Sequence, residues 1–393
     1  MRQTFAVTIL NLRNLPQRWG SSFVIVIGIT GVVAVLLTVS AVASGFRRTI
    51  DNSASEDRAI VLSRGAESEA GSGIARDAVS TIMDSPGIAR ARSGRPLASA
   101  ELLITAPIAR KSDGKDAYVT LRGIGPLGLE LRPEIRIVAG RMFAPAVHEL
   151  IAGRAAQDRF SGLSIGDRVL LRGGEWTVVG MFESAGNSHE SGLLADSETV
   201  LAAYQQQAFA SVTVKLVSAG GYKVFKDALT SNPTLEVDVR REAEYIATVS
   251  KGWHRLLNMI AYTIGGIMAV GALFGALNTM YSAVSARAVE IATLRALGFS
   301  SASVVSSVFI EALLLALLGA VMGASIAYSL FNGHAISTIG GTAQGSQLIY
   351  QLAITPQAIG GAILLALLIG FMGGLLPAIR AARMPIAAAL RSA

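Results

Sequence analysis

Cysteine is absent from this chain of 393 residues, so neither disulfides nor thiolate metal sites can hold it together. Charged residues are scarce at 16% of the total, and several long stretches contain almost none. With 51% hydrophobic residues and a mean hydropathy of +0.50, the chain is excluded from the purely soluble class. Its four histidines, His148, His189, His254 and His334, are scattered, without HExxH or other paired-ligand spacing. No metal site and no catalytic residue is therefore expected. A GxxxxGK[ST] phosphate loop is also missing. The chain cannot bind a nucleotide in that way, and no cofactor is expected on it.

What the sequence has in abundance is apolar runs. Stretches long enough to cross the hydrocarbon, roughly 20 residues each, occupy 21–43, 256–284, 303–331 and 356–379. The expected fold is an integral membrane protein with four transmembrane α-helices and a large α+β extracytoplasmic domain, 44–255, inserted between the first and second spans. Residues 332–355 read as a short outer loop, without a single Asp, Glu, Lys or Arg. The triplet Ala41-Val42-Ala43 resembles a signal-peptidase site, but the apolar stretch Trp19–Phe46 is far longer than a signal-peptide core and reads as an uncleaved anchor.

Charge asymmetry sets the expected orientation. The segments 1–20, 285–302 and 380–393 carry eight arginines (Arg2, Arg13, Arg18, Arg287, Arg295, Arg380, Arg383 and Arg391) against one acid, Glu290. By the positive-inside rule these segments, and so both termini, face the cytoplasm. The 44–255 insertion holds 26 basic and 25 acidic residues and is placed in the periplasm or outside the cell. The net charge of +7 thus reports topology and not nucleic-acid binding.

Within the insertion, strand-like alternation marks Ala59–Ser63, Glu101–Ala106, Ala117–Gly125, Ile135–Ala139, Arg168–Leu171, Trp176–Phe182 and Ser211–Leu216. Helical patterns mark Ile74–Met83, Glu149–Phe160, Glu198–Gln207 and Lys223–Leu229. Ser63–Ala75, rich in Gly, Ser and Glu, reads as a mobile loop, and His189-Glu190 as a solvated turn. Trp176 and Phe182 are expected in the core. From Arg240 a helical pattern without proline runs into the second span, a stalk that would rise about 25 Å above the bilayer.

The charged turn 285–302 has a composed face: Ile291, Leu294 and Leu297 follow helical spacing, with Glu290 and Arg295 elsewhere. Such a helix needs a second surface, either the lipid headgroups or a partner protein. Glu311 is the sole acidic or basic residue inside a span, a placement that is costly unless it is paired, protonated or near the headgroups. An arginine of the turn or of the C-terminus is one candidate partner. Asn278 reads as an interhelical hydrogen-bonding residue. Three small-xxx-small pairs, Gly271/Gly275, Gly319/Gly323 and Gly370/Gly374, allow close helix approach, either within one subunit or across a dimer seam.

These features together resemble the FtsX-like/MacB-like permeases of ABC systems. Ala286–Ser300, ARAVEIATLRALGFS, is similar to that family's RTREIGILRALGAS turn, with Val289 where a second arginine is usual. The ending Pro377–Ala393, PAIRAARMPIAAALRSA, resembles PARRAARLDPVEALR, and residues 5–31 look like an amphipathic helix leading into the first span. In the insertion, Val138–Phe143, Leu163–Asp167 and Val178–Gly180 resemble the family's periplasmic core. The resemblance implies a bacterial inner-membrane subunit that works by mechanotransmission with a separate ABC ATPase, on which ATP and Mg would bind. It implies that Arg287, Glu290, Ile291, Leu294, Arg295, Leu297 and Gly298 form the ATPase-coupling helix. It also implies a second permease copy, as homodimer or heterodimer, and leaves room for a periplasmic adaptor. Export or extraction of a lipid, lipoprotein, peptide or drug is the expected function; the alternative is a regulator that activates an extracytoplasmic enzyme without moving cargo.

Overall fold

A computed structural model describes residues 19–218, 220–339 and 346–383. Most of the expected leading helix, and the last ten residues of the chain, lie outside the described residues. The chain divides into two compact units, Gly45–Arg255 with Ala335–Gln351 and the remainder.

In chain order, α1 (Trp19–Asp51) is followed by β1 (Arg58–Ser63), β2 (Ile74–Ala75), α2 (Arg76–Met83), β3 (Ala98–Ala109) and β4 (Asp116–Ile124). Next come α3 (Gly128–Leu131), β5 (Arg136–Gly140), β6 (Glu149–Gly153), α4 (Arg154–Arg159), β7 (Arg168–Leu171) and β8 (Gly174–Glu183). The sheet unit continues with β9 (Leu193–Asp196), α5 (Ser197–Ala203), β10 (Ala208–Phe209), β11 (Ser211–Lys215), α6 (Gly221–Thr230) and β12 (Val237–Arg241). The rest is α7 (Glu242–Ala286), α8 (Ala288–Ala296), α9 (Ser301–Phe331), the hairpin β13 (Ala335–Ile339) and β14 (Gln347–Gln351), and α10 (Pro356–Arg383).

A mixed sheet in the order β12-β1-β11-β3-β4-β9-β6-β8-β5, with β7 on β8, organises the first unit. Period-two alternation gives the β1–β4 region two different faces. Ala59, Val61, Ala98, Ala100, Leu102, Leu121, Val212 and Val214 join the main apolar core, as does Trp176 on β8. The intervening positions carry Arg58, Ser99, Glu101, Arg122, Ser211 and Thr213, all buried as well. That second face is covered by the turn around Glu69 and by Tyr245 of α7, which packs with Ile60 and Leu62. Phe182 is fully buried in a smaller cluster with Ile124, Ile151 and Leu194.

Several local expectations change. Ser63–Ala75 is held in place, because Glu69 is buried and bonded to both outer nitrogens of Arg122 at 2.9 Å each. Glu149–Phe160 divides into a strand and a helix: Leu150–Gly153 are buried beside β8 and β9, and an inner strand is apolar on both faces. His189-Glu190 is not a solvated turn, since Glu190 caps its own loop by accepting from the Ser184 and Gly186 amides. Burial and the nearby Arg132, Arg122 and Arg58 push the His189 pKa well below its usual value, so its ring is neutral. The expected outer loop 332–355 contains the hairpin β13–β14: Ile349 enters the main core and exchanges two hydrogen bonds with the Ser191 hydroxyl.

Apolar helices able to cross a membrane span Phe23–Asp51, Arg255–Ala286, Ser301–Phe331 and Pro356–Arg383, and most of their length lies in the second unit. The first helix therefore continues past the expected end at residue 43. Glycine lets α9 pack tightly between its neighbours. A Cβ on Gly319 or Gly323 would stand 2.9 Å or 2.6 Å from the Val26 or Thr30 carbonyl oxygen of α1, and the Thr30 hydroxyl donates to Gly319 O. Gly370 and Gly374 of α10 lie against Ala316 and Ala312 of α9, where a Cβ would meet a methyl at 2.6 Å. Around Gly271 and Gly275 there is open space.

Gly323→Val should therefore lower the unfolding midpoint of the purified protein, by about 1–3 kcal/mol of overpacking, while Gly275→Val stays within about 0.5 kcal/mol; thermal unfolding in detergent measures both. Acid should act on the sheet unit through Glu101. Burial pushes its carboxyl up, but Arg132 and Arg122 more than offset this and hold it below its ordinary 4.5. A depressed carboxylate contributes stability above its unfolded pKa and loses it as pH falls through the folded one. Unfolding midpoints measured below pH 4.5 should fall more steeply for the native chain than for Glu101→Gln.

Candidate functional site

The charged turn folds as a short helix held at both ends. The expected helix 285–302 is in fact the end of α7 at Ala286, α8 over Ala288–Ala296, and the start of α9 at Ser301. Arg287 occupies the junction, with φ −100° and ψ 9°, and its carbonyl accepts from Ile291 N at 2.9 Å to open α8. At the other end Gly298 has φ +96°, a conformation that favours glycine. Its amide donates to Arg295 O, and Phe299 N donates to Leu294 O, the paired bonds of a Schellman stop. Ser300 then caps α9 by accepting from Ser303 N.

Arg287 is not presented to a partner. Its guanidinium forms two parallel bonds with the Glu311 carboxylate, Nη1–Oε2 at 2.9 Å and Nη2–Oε1 at 3.0 Å, and both side chains are buried. The planar fork matches the carboxylate and compensates the one acid within a span. Ser303, Ser307 and Glu311 are all buried and recur every fourth residue, so α9 shows one polar stripe. Spacing could have revealed that stripe. Near the end of α7, Arg380 of α10 lies over the Tyr281 ring at 5.5 Å.

The expected apolar stripe is divided. Ile291 is 6% exposed and packed inside, and Leu294 and Arg295 are half-buried. Leu297, just past the helix end, is 73% exposed and Val289 37%. Glu290, Ala296 and Gly298 are exposed too. The outward surface of the turn is thus Val289, Glu290, Ala296, Leu297 and Gly298, while Arg287 and Ile291 hold it to the bundle. Asn278 is exposed, with no side-chain hydrogen bond to another described residue. It shares one α7 face with Gly271 and Gly275, by i, i+4, i+7 spacing. Beside that face runs an apolar groove of about 250 Å³, lined by Val24, Gly28 and Val32 of α1 and Met268, Gly271 and Gly275 of α7.

Breaking the buried pair from either side should be costly, whereas removing both charges should not. Arg287→Met and Glu311→Leu are each expected to lose roughly 3–5 kcal/mol of stability, and the double variant to recover to within about 1 kcal/mol of the native chain. Unfolding of the four proteins in one lipid or detergent system closes the cycle.

Comparison with known proteins matches this architecture. Residues 22–231 match the MacB-like periplasmic core domain, and residues 262–386 the FtsX-like permease C-terminal region. The uncharacterized ABC transporter permease YknZ of Bacillus subtilis (strain 168) is 29% identical over 136 residues, covering 35% of this chain and 32% of that protein. The macrolide export ATP-binding/permease protein MacB of Psychrobacter cryohalolentis is 24% identical over 188 residues, covering 48% of this chain and 27% of that protein. The matched part thus spans about a third or less of each relative's length. Among solved structures, the extracellular domain of the noncanonic ABC-type transporter YknZ from Gram-positive bacteria aligns with a TM-score of 0.36 at 14% identity, over 47% of this chain and 99% of that one. The periplasmic region of MacB from Actinobacillus actinomycetemcomitans aligns with a TM-score of 0.37 at 14% identity, over 50% and 93%. The chain belongs to the ABC transporter permease family that joins a MacB-like periplasmic core domain to an FtsX-like C-terminal permease region.

Proposed function

We propose that this chain is the non-catalytic membrane subunit of an ABC transporter in the bacterial inner membrane, with both termini in the cytoplasm, and that α8 docks on a separate ATPase. One observation carries the reading: a short helix anchored by the buried Arg287–Glu311 pair still leaves Val289, Glu290 and Leu297 exposed. An exposed leucine beside an acid suits an apolar socket with a basic rim. The absence of a phosphate loop from the sequence supports placing ATP and Mg on that partner chain. Closure of the ATPase would pull on α8, and the ion pair would pass the pull to α9. The cargo class stays broad: a lipid, lipoprotein, peptide or drug exported or extracted from the membrane.

A second copy of a permease is part of the same proposal. Gly271, Gly275 and Asn278 leave one face of α7 small, open and with an unsatisfied amide. Glycines permit close helix approach in lipid, and an exposed amide there gains from a hydrogen-bonding partner. An identical helix across a two-fold axis would offer both.

Two measurements test the proposal. Leu297→Asp should abolish co-purification with a co-expressed ABC ATPase of the same organism while leaving the unfolding midpoint unchanged; retained association would overturn the docking role. Because the chain has no cysteine, Asn278→Cys supplies a single thiol. It should form a disulfide dimer in oxidised membranes, and Tyr262→Cys, farther along the same helix, should not.

A further inference from the structure

The polar face of the sheet carries a line of ions, all buried except Glu134 at one end. In spatial order they are Glu134, Arg58, Glu242, Arg132, Glu101, Arg122 and Glu69. Arg58 meets Glu134 at 2.8 Å and Glu242 at 2.5 Å; Arg122 meets Glu101 at 2.6 Å and Glu69 at 2.9 Å. Glu134 is partly exposed, so three buried carboxylates, Glu69, Glu101 and Glu242, share three buried guanidiniums, and the acids differ in how many bonds each accepts.

Among the three buried acids the bonding pattern sets one apart. Glu101 accepts from two guanidiniums, on both of its oxygens. Glu69 accepts two bonds from Arg122 and one from the Ser211 hydroxyl. Glu134 is partly open to solvent. Glu242, although 5% exposed, accepts one bond from Arg58 and one from Ser55 N, and Arg132 stands 4.0 Å away. Burial accordingly pushes its carboxyl up, only partly offset by Arg58 and Arg132.

Position gives this acid its importance. Glu242 lies in the first turn of α7, and its bond to Ser55 N ties down the segment that follows α1. One turn on, Tyr245 fixes the same helix by accepting from Glu69 N at 3.0 Å. A small polar cavity of about 30 Å³ lies alongside, bordered by Ser53, His189, Thr213 and Tyr245, with room for roughly one water. Thr213 Oγ1 has no hydrogen-bond partner there.

We propose that Glu242 is the releasable member of a buried ionic latch: freeing its carboxylate unfastens the segment after α1 and the first turn of α7 together, while Glu69, Glu101, Arg122 and Arg132 stay bonded and keep the sheet intact. The latch is a conformational device of the sheet unit and does not depend on the ATPase reading. Glu101, by contrast, belongs to the fixed part.

Hydrogen exchange on the full-length protein in nanodiscs tests this, with Glu242→Gln compared to Glu101→Gln. Glu242→Gln should speed exchange about tenfold or more at residues 52–57 and 245–249, leave the strands β3, β4 and β11 protected, and keep the unfolding midpoint within a few degrees of native. Glu101→Gln should instead lower the midpoint and speed exchange across those strands. Unchanged exchange at both segments in Glu242→Gln would overturn the latch, as would acceleration spread over the sheet. Failure of Glu242→Gln to fold would contradict it equally, because a releasable carboxylate cannot be essential to the fold.

Discussion

The Arg287–Glu311 pair determines what the membrane unit can present. A lone carboxylate within a span, or a lone guanidinium beside it, carries a large desolvation penalty, and bidentate pairing is what makes both placements tolerable. Its position at the junction of α7 and α8 fixes the direction in which α8 starts, and the Gly298 stop fixes where it ends. With both ends set, Ile291 must pack inward and Leu297 must remain outside. The exposed surface of the turn therefore follows from an interaction that is itself hidden.

The sheet unit meets the same physical constraint in a different form. Its buried arginines and glutamates, three of each, are arranged in a line. A simple pair such as Arg287–Glu311 has no internal weak point. Along the line the acids are unequally bonded, and Glu242, the member proposed to release, sits on the helix that continues into the second span. Stability and mobility are thus set by the same groups.

Much of this could be read from the sequence. Charge-free runs locate the spans, alternation locates seven of the fourteen described strands, and the ARAVEIATLRALGFS stretch carries the family resemblance. What escaped depended on partners remote in the chain. The Ser63–Ala75 stretch has the composition of a loop, and partners far along the chain, Arg122, Ser211 and Tyr245 on Glu69, give it structure. The β13–β14 hairpin shows β-branched residues, but the core that receives Ile349 is built from residues 59–239, more than a hundred positions away. Three glycine pairs with identical spacing looked equivalent; two pack within the subunit and one is open, a distinction that spacing alone cannot make. Arg287 was grouped with docking residues because the motif places it beside them, and its burial against Glu311 separates positioning from contact.

On the proposed function, α8 docks with its outer residues on an ATPase while its inner residues meet the bundle. Photocrosslinking in native membranes addresses it most directly, with a photoreactive amino acid placed singly at Leu297 and at Ile291. The account predicts an adduct with the ATPase from position 297 and none from position 291. Adducts to lipid alone from position 297, or equal capture of the ATPase from both positions, would contradict it.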